Sequence, residues 1–295
     1  MAEKVEFRKI REFGELIGDT FLFIKQNFKP LGKAFIYICG IFILGGIISS
    51  ILTQLQIIDF QSTSYPSSYR NNPFDAFSKV GFPYLLVILF MMLSYTAIYI
   101  TILSYIALYV QKGNVAPSVE EVWSYFKFYF LRMLGSGIVM SIFGALCFIC
   151  CVIPGIYVFP ALTIFYPIMI IENGSIGYSF NRSFKLIKDE WWITAAVIII
   201  IWIITYACMM LIQLPSIIVA MVGAFTNVGN PITKTYIFLS SILQYIAYIL
   251  TIIPLICGTL IYFNLVERKE SSGLIDRIGS LGQATDQTNI HPEEY

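Results

Sequence analysis

Six long apolar runs without an internal Asp, Glu, Lys, Arg or His leave this chain of 295 residues little choice of fold. They lie at about 31–58, 82–110, 133–152, 156–171, 192–213 and 236–266. At about 1.5 Å of rise per residue, most of them reach across a hydrocarbon core of about 30 Å. Hydrocarbon offers the backbone no hydrogen-bond partner, so such runs satisfy their own amides as helices. Composition agrees, with 57% apolar and 13% charged residues, where soluble domains carry about 25% charged. The expectation is an all-α membrane protein with six transmembrane helices in a single polytopic domain over 1–266, followed by a polar tail over 267–295.

Polar and aromatic segments precede alternate spans. Residues 4–29 place Ile10, Phe13, Ile17, Phe21, Ile24 and Phe28 at helical spacing, and Pro30 is expected to break that helix from the first span. Residues 118–131 open on Ser118 and Glu121, an S-x-x-E capping box, and carry Val119, Trp123, Phe126 and Phe130. Residues 175–190 carry Phe180, Phe184 and Ile187, with Trp191 completing the stripe. Aligned on these stripes, the three segments share a lysine in one slot: Lys25, Lys127 and Lys188. Each segment feeds a membrane hairpin, so the chain reads as three repeats of interfacial helix plus transmembrane hairpin. The second hairpin turns at Pro154-Gly155. After Pro215, the apolar stretch 215–225 reads either as a continuation of the fifth span or as a re-entrant piece.

Orientation follows from the basic residues. Of 19 Lys and Arg, 16 fall in the N-terminal segment, the 111–133 and 172–190 loops and the tail. That bias places both termini and all three interfacial segments in the cytoplasm. It also accounts for the placement of the basic residues, so the net charge of +1 gives no reason to expect a nucleic-acid partner.

Chemistry is sparse. Proton relays and ion-coupled transporters keep ionisable groups at membrane depth, and these spans have none. Cys147-x2-Cys150-Cys151 lacks the further ligands of a zinc site and reads as packing. His291, the single histidine, lies in the tail, so no catalytic triad is available. No metal, cofactor or catalytic residue is expected. Glu172 at the end of the fourth span reads as a structural group, capping the next helix or pairing with Arg182, and Pro154 and Gly155 as structural turn residues. Lipid or partner contact is assigned to Lys25, Lys127, Lys188, Trp123, Phe184 and Trp191, where lysines reach lipid phosphates from an aromatic boundary. Leu274, Ile278 and Leu281 of the tail form a further candidate partner surface. The expected function is non-enzymatic: organising lipids, or serving as an accessory subunit of a membrane complex. The alternative is a passive or lipid-type transporter with an uncharged pathway lined by Gln54, Gln213, Gln244 and Asn264.

The run from Pro167 through Glu172 and Ser183-Phe184-x-Leu186 to Trp191 and Trp192 resembles the membrane domain attached to some bacterial glycerophosphoryl diester phosphodiesterases, and its stand-alone relatives. The resemblance implies a six-span protein of the bacterial cytoplasmic membrane. It does not imply phosphodiesterase activity, which in that family belongs to a separate soluble domain.

Overall fold

The computed structural model describes residues 4–61, 77, 81–150, 152–226 and 230–271. The tail residues Leu274, Ile278 and Leu281 and most of the 59–81 loop lie outside that set. Among the described residues the chain is helical and has no strand. In order, the helices are α1 (Phe13–Gln61), α2 (Phe82–Gln111), α3 (Val119–Cys150), α4 (Val152–Ile171), α5 (Ile176–Ile187), α6 (Trp191–Thr226), α7 (Asn230–Ile249) and α8 (Ile252–Glu270). Six segments are long and apolar enough to cross a membrane, with α7 and α8 together forming the sixth.

The expected break at Pro30 is absent, since α1 is one helix of 49 residues with Pro30 inside it. On both sides of the proline α1 runs antiparallel to α2: Phe23 meets Tyr109 at 5.2 Å, Asn27 accepts from the Tyr105 hydroxyl, Cys39 meets Thr101, and Thr53 donates to the Pro83 carbonyl. A helix-interior proline loses a backbone bond and bends the axis without ending the helix.

Residues 4–12, expected to begin the first interfacial helix, are not helical. They coil around the Arg11 guanidinium, which donates to the carbonyls of Phe7 (2.9 Å), Lys9 (3.1 Å) and Glu6. A fork of several donors satisfied by consecutive carbonyls stabilises a loop in place of a helical turn. Phe7 then plugs the bundle, edge-on to Phe23 and Phe263 at 5.1 and 5.5 Å.

The other boundaries differ in similar ways. The capping box forms as expected, with Ser118 N–H donating to Glu121 Oε2 (2.8 Å) and Glu121 N–H to Ser118 Oγ (3.3 Å). The helix it opens continues into the third span as α3. Pro154 and Gly155 do not make the hairpin turn, because they sit in the first turn of α4. A proline there gives up no helical bond. Gly155 serves close packing: a Cβ at that position would meet the Phe148 ring at 2.6 Å. α6 runs unbroken through Pro215 to Thr226, so 215–225 continues the fifth span. The sixth span is interrupted by a turn at Leu250 and Thr251, just ahead of Pro254. Pro254 has no amide hydrogen to donate to Leu250, which weakens the helix there.

α8 is the axis of the bundle. Every residue from Ile253 to Glu267 is buried, against α1, α2, α4, α5 and α6. Burial is uneven along the molecule. α2 is buried from Ala97 to Tyr109, apart from the half-buried Tyr99, but largely exposed between Phe82 and Leu89, and α1 is exposed at Leu44, Ile48 and Leu52. One end is thus densely packed and the other is open. The dense end holds residues 4–12, α5 and the last turn of α8, and is called the basic end below.

Candidate functional site at the basic end

The junction from α4 to α5 is built from four residues. Glu172 ends the last turn of α4, Asn173 takes a left-handed conformation (φ 48°), Gly174 is buried, and Ser175 caps α5 by accepting from Tyr178 N–H at 3.2 Å. Asparagine tolerates positive φ better than most residues. Arg132 of α3 holds this turn, donating to Asn173 Oδ1 at 2.9 Å and to the Gly174 carbonyl.

Glu172 anchors a polar cluster. Its Oε2 accepts from the Tyr178 hydroxyl (2.6 Å), and its Oε1 from the Tyr262 hydroxyl (2.9 Å) and Arg182 Nε (3.3 Å). Arg182 also pairs with Glu270 at 2.6 Å. The Glu172 carboxylate at the end of its hydrogen bond holds the Tyr178 hydroxyl above the usual phenol range. These side chains join α4, α5 and α8. A carboxylate engaged by two phenols and a guanidinium from two other helices acts as a strut between them.

The last turn of α8 extends the cluster into a latch. Lys269 pairs with Asp189 (2.7 Å) and donates to the Lys185 carbonyl (2.8 Å). Arg268 reaches Glu190 at 3.4 Å and the Arg11 carbonyl at 3.0 Å. Hydrogen bonding to Lys269 pulls the Asp189 carboxyl below its ordinary value of 3.8. Arg11 is 1% exposed, and its Nε meets Asp19 at 2.7 Å. Its own N–H donates to Asn264 Oδ1 at 2.8 Å, which ties the N-terminal coil to α8. Sequence reading missed Arg11, whose carboxylate partner is eight residues away, and Arg132, Tyr262 and Glu270, whose partners are remote in the chain. A basic last turn on α8 was the one local signal.

The remaining residues singled out from sequence fall in three places. Lys25, Lys127 and Lys188 are all exposed, and none forms an ion pair among the described residues. Lys127 lies over the Trp123 ring at 6.0 Å. The three aromatic residues are partly packed: Trp123 stacks on Phe126 at 5.2 Å, Phe184 meets Phe180 at 4.9 Å, and Trp191 stacks on Tyr157. Trp191 Nε1 also donates to the Tyr157 carbonyl (3.0 Å). Tyr157 in the first part of α4 thus sits against Trp191 at the start of α6.

The four polar span residues do not line one pathway. Gln54 and Gln244 share a cavity, and Gln213 donates to Gln244 at 3.4 Å. Asn264 is engaged with Arg11 at the basic end.

Fold and junction together define an all-α integral membrane protein whose helices are locked at one end by a polar latch. Searches against family models, characterised proteins and solved structures find no match for this chain.

Proposed function

We propose that the protein is a non-enzymatic, multi-pass protein of the bacterial cytoplasmic membrane that organises anionic lipid at its cytoplasmic face. The observation that carries this reading is a division of labour among the basic residues of the basic end. Arg11, Lys112, Arg182, Arg268 and Lys269 are spent on carboxylates of the same chain. Lys25, Lys127 and Lys188 are exposed, as are Lys29 and Lys33, and no carboxylate pairs with any of them among the described residues. On α1, Lys25, Lys29 and Lys33 recur every fourth residue, so they form one column beside the exposed Phe28, Ile36 and Tyr37. Basic groups over exposed aromatic and aliphatic side chains match the boundary between phosphates and acyl chains.

The positive-inside bias supports a cytoplasmic basic end. The three hydrogen bonds that Glu172 accepts from α5 and α8 support a structural role there. The test is the triple variant Lys25→Gln, Lys127→Gln, Lys188→Gln in nanodiscs of mixed phosphatidylcholine and phosphatidylglycerol. Retained phosphatidylglycerol, read by native mass spectrometry, should fall, at about 1 kcal/mol or about fivefold in local affinity per lysine. Unchanged retention would refute the lipid reading.

A further inference from the structure

Outside the polar latch, the bundle holds two adjoining cavities of opposite character. One, of about 220 Å³, lies between α1, α2 and α7, and is lined by Ser50, Gln54, Ser241, Gln244, Tyr245 and Tyr248, among others. Gln54 and Ser50 sit about 25–30 Å along α1 from Lys33, close to the far boundary of a bilayer. The second, of about 360 Å³, lies between α2, α3 and α4, where Met91, Met92, Tyr95, Tyr99, Gly137 and Tyr166 line it. The two meet at Met91, which lines both, and at the Tyr95 and Tyr248 rings, 5.1 Å apart. Ile88 and Met91 at the mouth of the second are 40% and 38% exposed, so this cleft opens sideways on the surface that faces lipid.

The lining fixes the ligand class. Three serine hydroxyls, two carboxamides and three phenols surround the smaller cavity, which offers many donors and acceptors but no charge. Gln54 Nε2 is held by Ser50 (3.1 Å) and Ser241 (2.8 Å), which pre-orients that amide. Gly46 makes the site possible on α1, because any Cβ there would collide with the Tyr245 hydroxyl. Neither cavity is lined by Asp, Glu, Lys, Arg or His. A phosphate would find no counter-charge, and an uncharged hydrogen-bonding head would leave none unpaired. The larger cleft, apolar and at the depth of the acyl chains, suits a hydrocarbon tail.

We propose that these cavities form a binding site for one lipid with an uncharged, hydroxyl-bearing head, of the diacylglycerol or glycosyl-diacylglycerol class. The head occupies the Ser/Gln/Tyr cavity and one chain lies in the Met/Tyr cleft. The proposal rests on the membrane-spanning reading of the helices, and is independent of the lysine face.

The experiment is photolabelling of the full chain in phosphatidylcholine and phosphatidylglycerol nanodiscs, with a diacylglycerol carrying a diazirine in its acyl chain. Label is expected on the α2 segment 88–99 and the α3 segment 133–141, displaced by unlabelled diacylglycerol and not by added phosphatidylglycerol. Gln54→Leu with Gln244→Leu should weaken labelling about tenfold, the effect of losing about one hydrogen bond to a buried polar group. Gly137→Phe should block it, since the nearest side chain to a Cβ there is the Tyr166 hydroxyl at 4.0 Å and a larger group enters the cleft. The triple lysine variant should label normally, which separates failure here from failure of the cytoplasmic-face reading. Equal competition by phosphatidylglycerol, or label scattered over the outer face of α6, would overturn the proposal. If a variant fails to fold, the labelling map and competition on the native chain still decide.

Discussion

Arg11 shows how much a single side chain holds in this molecule. A guanidinium that is 1% exposed has left water, and it is stabilised by one carboxylate and three carbonyls. Removing one partner of such a pair leaves a buried charge without compensation, at a cost of about 3–5 kcal/mol. Asp19 is 27% exposed, so Asp19→Asn belongs at the lower end of that range. The expected result is a lower melting temperature in detergent, together with early protease cleavage within residues 4–12. The partners of the guanidinium lie within eight residues, but its burial depends on α8, whose Asn264 takes the Arg11 N–H from 253 residues away. Glu172 and Arg182 were legible as a pair, being ten residues apart across one turn, but Tyr262 and Glu270, which complete the cluster, were not.

At the scale of helices, the apolar stripes of α1 and α5 are less buried than the residues one position ahead of them. Phe13, Phe21 and Phe28 are exposed, while Leu16, Thr20, Phe23 and Asn27 are buried, a shift of one residue around α1. The same shift recurs on α5, where Ser179 and Ser183 are buried and Phe180 and Phe184 are half-exposed. Beside lipid, apolar side chains gain little by turning inward, and helix contacts favour small and hydrogen-bonding groups instead. On α1 and α5 the residues that pack the bundle are therefore offset by one position from the apolar stripe that the sequence displays. The attachment of α5 to α8 has a defined pH response. Asp189 has a lowered pKa, so its contribution is complete above the ordinary value of 3.8 and is lost as pH falls through the lowered one. Amide hydrogen exchange across 185–190 should therefore rise, relative to the rest of α5, only below about pH 3.8, and Lys269→Gln should show the raised exchange at every pH.

For the whole molecule, the number and helical nature of the spans were readable because the bilayer leaves no alternative for uncharged runs. The central position of α8 was not, since its apolar run looks like the other five. What singles it out is burial on every side, which only the packed bundle reveals. α8 also leaves the ribosome after the other five spans. Those five must wait in the bilayer around an axis that does not yet exist, with Glu172 and Arg11 lacking their partners on α8. Their packing is therefore completed only when α8 arrives, and the helices ahead of it form an assembly intermediate that membrane quality control can recognise. A chain split within 227–229 tests this directly. Residues 1–226 expressed alone should be degraded, and co-expression of the remainder should restore their level, as read by blotting of membrane fractions.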